Sequence, residues 1–136
     1  MKVLVGIFIS STILFVLGIL GSKLFLTMNS PYIGTAELQD IGIETYMLSF
    51  VYKFLVILIL TWMISRVISV LDKYKKRVLF IFILGIVFSI YSRSEALLFQ
   101  MPWEWIFVGI IYDMIVWLII SLVLAQFIRP KHLGAS

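Results

Sequence analysis

Residues 105–128 read WIFVGIIYDMIVWLIISLVLAQFI, 24 positions in which Asp113 is the one charged residue. A helix needs about 20 apolar residues to cross a hydrocarbon core about 30 Å thick, so this run reads as a membrane span. Pro102 sits just ahead of it, where a helix tolerates proline. Trp103 and Trp105 supply aromatics at the headgroup level, and Arg129-Pro130-Lys131 closes the run.

The same reading applies three more times upstream. Val3–Phe25 needs only Lys23 excused and reaches roughly 34 Å as a helix. The apolar core of a signal peptide is about 7–15 residues long and leads to an A-x-A-like site; this run is longer and no such site follows, so it is read as an uncleaved first helix. Tyr46–Leu71 is interrupted by Lys53 and Arg66. Val78–Tyr91 reaches only about 21 Å and must borrow from its flanks, with Lys75, Lys76 and Arg77 snorkelling at one end. At its other end Ser92-Arg93-Ser94-Glu95 is read as capping a short interfacial helix, Glu95–Gln100; the alternative carries the third helix on through Ser92–Leu98. Ile57-Leu58-Ile59-Leu60 and Ile81-Phe82-Ile83-Leu84 are continuously apolar, whereas a barrel strand alternates in polarity. The many β-branched residues do not oppose helix, because in lipid the backbone must satisfy its own hydrogen bonds. The expected fold is all-α and integral to the membrane: an antiparallel bundle of four transmembrane helices near 3–26, 46–71, 75–92 and 104–128, forming one domain over 1–136.

Composition agrees. Of 136 residues, 62% are hydrophobic and 13% charged, against about 45–50% and 25% in soluble domains. That excludes a soluble globular domain, a disordered chain and a nucleic-acid binder. The absence of cysteine excludes disulfides, thiolate metal sites and thiol redox chemistry. Thr27–Glu44 is the most polar part of the chain; it carries Glu37, Asp40 and Glu44 without a basic residue. Asn29-Ser30-Pro31 is a turn signal, and Thr35–Asp40 is read as a short surface helix. Asp72–Arg77 holds four positive charges in six residues. Lys2, Arg66, Lys73, Lys75, Lys76, Arg77, Arg129 and Lys131 fall to one side, and Lys23, Lys53 and Arg93 to the other. By the positive-inside rule both termini and the 72–77 loop face the cytoplasm, and loop 29–45 faces outward. The location expected is the cell's inner membrane, crossed four times.

Polar residues within the spans are the candidate site. Lys23 lies roughly 8 Å, Lys53 roughly 10 Å and Asp113 roughly 12 Å below the outer boundary at helical rise, so three ionisable groups share one layer. A charge at the bilayer centre costs about 2.5–3.5 kcal/mol on insertion scales and seeks a partner. The favoured reading is a Lys53–Asp113 ion pair that fixes helix register, with Lys23 snorkelling outward or competing for the carboxylate. The alternative is a proton, ion or headgroup site in an outward-facing cavity. Gly18 with Ser22, Gly85 with Ser89, and Gly109 with Asp113 stand at i, i+4 spacing, so each pair shares a face on which helices can approach. Intramolecular packing is favoured over a homodimer through Gly18 and Ser22. Tyr32, Tyr46, Tyr52, Tyr91, Trp103, Trp105 and Tyr112 gather at the outer end, which interfacial anchoring explains; a headgroup or quinone pocket is the alternative. Lys73, Lys75, Lys76 and Arg77 set topology, with anionic-lipid binding as the alternative role. No cofactor is called for. The sole histidine, His132, lies in the tail, the span serines have no activating partner, and Asp113 is the only deep carboxylate, so neither a catalytic nor a metal site is expected.

The stretches Leu14-Phe15-Val16-Leu17-Gly18, Pro102-Trp103-Glu104-Trp105, then Asp113, Trp117, Leu122-Val123-Leu124-Ala125 and Ile128-Arg129-Pro130 resemble a group of small uncharacterised bacterial four-helix inner-membrane proteins. The likeness covers the first and last helices, and loop 29–45 is shorter here than the group leads one to expect. It implies a bacterial inner-membrane protein and brings no activity. Small multidrug transporters would place a glutamate in the first helix, and disulfide-generating four-helix proteins need cysteine; this chain has neither. The function expected is a non-enzymatic accessory subunit or assembly factor of a larger membrane complex. The alternatives are a small proton- or ion-coupled transporter or channel using Lys53 and Asp113, and a lipid- or quinone-binding protein. The partners expected are the bilayer and other membrane subunits, with no nucleic acid.

Overall fold

The computed structural model describes residues 1–29, 42–94 and 103–132. All regular structure among these residues is helical: α1 spans Lys2–Asn29, α2 Ile43–Val67, α3 Tyr74–Ser94 and α4 Trp103–Phe127, followed by a 3-10 turn at Pro130–His132. The surface helix expected at Thr35–Asp40 and the interfacial helix expected at Glu95–Gln100 lie outside the described residues. All four helices are long and apolar enough to cross a membrane.

Boundaries follow local chemistry. Gly42 in extended conformation opens α2, and Glu44 stands in its first turn, beside the positive end of the helix dipole. Glu104 does the same for α4. α2 closes at Val67, four residues short of the expected Leu71, because the chain tightens there: the Leu71 amide reaches back to both Val67 and Ile68 carbonyls, and 3-10 type turns of this kind are frequent at helix ends. α3 continues to Ser94, beyond the expected end at 92.

Apolar side chains lie outside as well as inside. Ile57, Leu60, Ile64, Ile81, Ile120, Leu124 and Ile128 are fully buried, while Leu4, Phe8, Leu20, Leu55, Trp62, Leu79, Val87, Phe107 and Ile115 are exposed. A helix apolar all round fits a lipid-facing environment. Four hydroxyls are satisfied within their own helices: Ser11, Thr12, Ser22 and Thr61 each donate to the carbonyl four residues back, which removes the cost of an unpaired hydroxyl in hydrocarbon.

The close helix packings are α3 on α4, α1 on α2 and α1 on α4. The α3–α4 seam is built from two stripes of i, i+4 spacing. On α3 the stripe is Arg77, Ile81, Gly85, Ser89 and Arg93; on α4 it is Gly109, Asp113, Trp117, Ser121 and Ala125. Large faces small at every step recorded. Trp117 lies on Gly85, Arg93 lies on Gly109, and Arg77 reaches the carbonyl of Ala125. Such interdigitation supplies packing where no hydrophobic drive exists between helices in lipid. The α1–α4 seam works the same way, with Phe127 on Gly6 and Tyr112 on Gly21. Across α1 and α2 the Phe50 ring stands edge-on between Phe8 and Phe15, at 6.0 and 5.6 Å.

Candidate functional site

Asp113 is held by Arg93. Arg93 Nε donates to Oδ2 at 3.0 Å and its Nη2 to Oδ1 at 3.2 Å, a two-pronged fit of planar guanidinium to planar carboxylate. The arginine reaches it because α3 runs on to Ser94, placing Arg93 at the end of the stripe that faces α4. Gly109, one turn before Asp113, leaves room for the guanidinium; a Cβ there would stand 2.8 Å from its carbon. The side chains keep 34% and 22% of their exposure, so the pair is half-buried.

The expected Lys53–Asp113 pair is therefore replaced. Lys53 donates instead to Ser49 Oγ, one turn back on α2, at 3.0 Å. Its ammonium stands 5.3 Å from the centre of the Phe15 ring, a cation–π distance, and a Cβ on Gly18 would lie 2.9 Å from the nitrogen. The reason is neighbourhood: α2 packs on α1, and α4 packs on α1 and α3, so Lys53 and Asp113 face different seams. Equal depth places two residues in one layer without placing them side by side. Lys23 is exposed on α1. Lys53 and Asp113, expected in one cluster, thus fall into separate surroundings.

Gly18, Gly85 and Gly109 receive side chains of neighbouring helices. Gly18 faces α2 through Lys53 and Gly85 faces α4 through Trp117. Ser22 turns its hydroxyl back to the Gly18 carbonyl at 2.9 Å, and Ser89 is buried. Of the aromatics, Tyr91 and Trp103 are exposed and Tyr46 and Trp105 half-buried. Tyr112 is not a free interfacial ring: its hydroxyl donates to the Leu17 carbonyl of α1.

Arg77 departs most from expectation. It does not snorkel; it retains 4% exposure. Its Nη1 donates to the carbonyls of Leu71 at 3.0 Å and Asp72 at 2.7 Å, and its Nε to that of Ala125 at 3.3 Å. One guanidinium thereby answers carbonyls of the α2–α3 turn and of the last turn of α4, which would otherwise go unanswered where helices end. The i, i+4 stripe is the signal that finds both arginines: stepping back from Gly85 reaches Ile81 and Arg77, and stepping forward from Ser89 reaches Arg93. Lys76, by contrast, pairs with Asp72 at 3.0 Å on the surface. Asp72 is held below its ordinary pKa by the Lys76 hydrogen bond first, then by the Lys73 amide.

Among the described residues no three His, Cys, Asp or Glu side chains converge to hold a metal ion. Ser10 is fully buried, and its hydroxyl has no partner among them. Comparison with protein-family models, with curated proteins and with solved structures finds no match to this chain.

Proposed function

We propose that this chain is a non-enzymatic accessory subunit or assembly factor of a larger complex in a bacterial inner membrane. In this reading it is an antiparallel four-helix bundle with both termini and the 72–77 turn in the cytoplasm. The observation that carries the proposal is the engagement of Asp113. The deep carboxylate, the group a proton or ion pathway would most need, is gripped at both oxygens by Arg93, and a polar group so held serves helix register. The succession Arg77–Ala125, Gly85–Trp117 and Arg93–Asp113, rising in α3 and falling in α4, supports the antiparallel arrangement. The exposed apolar faces of all four helices offer surface to lipid and to neighbouring spans alike.

The test is purification in mild detergent from its native membrane, followed by mass spectrometry. The proposal expects a partner in stoichiometric amount. A chain that purifies alone, moves a solute in proteoliposomes and does so differently after Asp113→Asn would replace it with the transporter reading. That reading needs Lys53 and Asp113 on one path, whereas Ser49 and Arg93 hold them on separate seams.

A further inference from the structure

Beside the α2–α3 turn the α3–α4 seam opens on one flank into a groove of about 290 Å³, lined by Tyr74, Lys75, Val78, Leu79, Phe82, Leu118 and Leu122. Binding pockets for whole small molecules run about 300–1,000 Å³, so this volume suits a single chain laid lengthwise. From Lys75 to Phe82 the groove follows α3 for roughly 10 Å at helical rise. Its walls are aliphatic and aromatic. The one hydroxyl in it, on Tyr74, is tied to the Leu122 carbonyl at 2.9 Å, so the groove offers an occupant no free polar group along its length.

Its mouth is different. Of the four cations in 73–77, Lys76 is paired with Asp72 and Arg77 is committed to three carbonyls. The Lys73 charge lies beside the same Asp72 carboxylate. The Lys75 ammonium has no ion pair or hydrogen bond among the described residues, and its stem lines the groove. A lysine whose stem covers apolar surface carries its charge to the headgroup level. The geometry points to a binding site for an anionic diacyl phospholipid, with one acyl chain in the α3–α4 groove and the phosphate on Lys75. The charge at the mouth and the apolar walls behind it are complementary to the two ends of that molecule and to no soluble anion. The inference is independent of the accessory-subunit reading and rests only on the helices lying in a membrane.

The test uses the whole chain in mild detergent, with dioleoyl phosphatidylglycerol and dioleoyl phosphatidylcholine titrated in parallel and retained lipid counted by native mass spectrometry. The wild type is expected to retain phosphatidylglycerol about fivefold more than phosphatidylcholine, the weight of one lysine against an anionic headgroup. Lys75→Glu, at an exposed position, should abolish that preference, while Lys2→Glu, outside the groove, should leave it intact. Leu118→Trp, which fills the groove, should reduce retention of both lipids. Equal retention of the two lipids by the wild type would overturn the site, as would an unchanged preference in Lys75→Glu. Glycerol 3-phosphate, the headgroup without chains, should fail to displace the lipid; displacement by it would mean an anion site alone and would equally overturn the proposal.

Discussion

Arg93 meets Asp113 with two nitrogens on two oxygens, at 3.0 and 3.2 Å, and this pair joins the end of α3 to the first half of α4. Removing one partner of a fully buried pair costs about 3–5 kcal/mol, and exposed pairs contribute about 0–1. With about a fifth to a third of each side chain still exposed, Asp113→Asn should cost roughly 1–3 kcal/mol. It would read as a lowered unfolding midpoint in detergent. Arg93→Lys should lose part of the same amount, since an ammonium cannot make the two-pronged fit. An unchanged midpoint in both variants would show that the pair does not hold the seam.

Arg77 serves three carbonyls from one planar fork. A lysine has the charge without the fork, so Arg77→Lys leaves at least one acceptor unanswered, and Arg77→Leu leaves all three. Hydrogen bonds to charged groups are worth about 1.5–3 kcal/mol each; after relaxation of the turn, we expect a loss of roughly 2–4 kcal/mol for Arg77→Leu and less for Arg77→Lys. Lys75→Leu is the control, since that side chain is exposed. A loss in the control equal to that in Arg77→Leu would assign the effect to net charge rather than to carbonyl capping.

The spans were legible because length and composition alone decide whether a helix can cross a bilayer, and runs such as 105–128 meet both. Pairing was not, because depth fixes a residue's layer and says nothing of its azimuth. Lys53 and Asp113 match in depth and still lie on different seams, while the sequence reads Arg93 into an interfacial connection, outside that layer. Arg77 was hidden by its neighbours: four adjacent cations look alike in composition, and only the helical phase that joins it to Ile81, Gly85 and Ser89 sets it apart. Gly85 and Gly109 lie under Trp117 and Arg93, and nothing in their i, i+4 spacing names a tryptophan or an arginine as the side chain that fills them. The partner of a small residue is a property of the opposite helix.

Gly85 tests that point directly. A Cβ there would collide with the Trp117 ring, which is itself buried and stands 6.4 Å from the Phe88 ring. Overpacking of a close-fitted contact costs about 1–3 kcal/mol, so Gly85→Ala should lower the midpoint and quench or shift the Trp117 emission. Gly42 is open, with nothing within 4 Å of a Cβ and an ordinary extended backbone. There the weaker cap and the stiffer unfolded chain oppose each other, and Gly42→Ala should stay within about 0.5 kcal/mol of wild type.

Asp72 carries a pH dependence of known sign. Its folded pKa is lowered, first by the Lys76 hydrogen bond, so the folded state binds its proton less readily than the unfolded chain. The stabilisation is present above the unfolded value near 3.8 and is lost as pH falls through the folded one. The difference in midpoint between wild type and Asp72→Asn should be small, as suits an exposed pair. It should be constant from neutral pH down to about 5 and close toward zero in stronger acid. A difference that grew on acidification would reverse the sign and assign the effect elsewhere.

Orientation can be read chemically because the chain has no cysteine, so a single introduced thiol is the only site labelled. Basic residues, more than net charge, set the direction of insertion, so neutralisation of Lys76 by Asp72 leaves the bias of eight to three intact. Burial of Arg77 at the same turn does not move it to the other side either. Glu44, at the start of α2, and Lys73, in the turn before α3, are both exposed and stand at opposite ends of α2. In spheroplasts, a membrane-impermeant maleimide should modify the Glu44→Cys variant at once. It should modify the Lys73→Cys variant only after the membrane is disrupted. The reverse pattern would invert the orientation, and labelling of both in intact spheroplasts would show that the chain inserts in two directions.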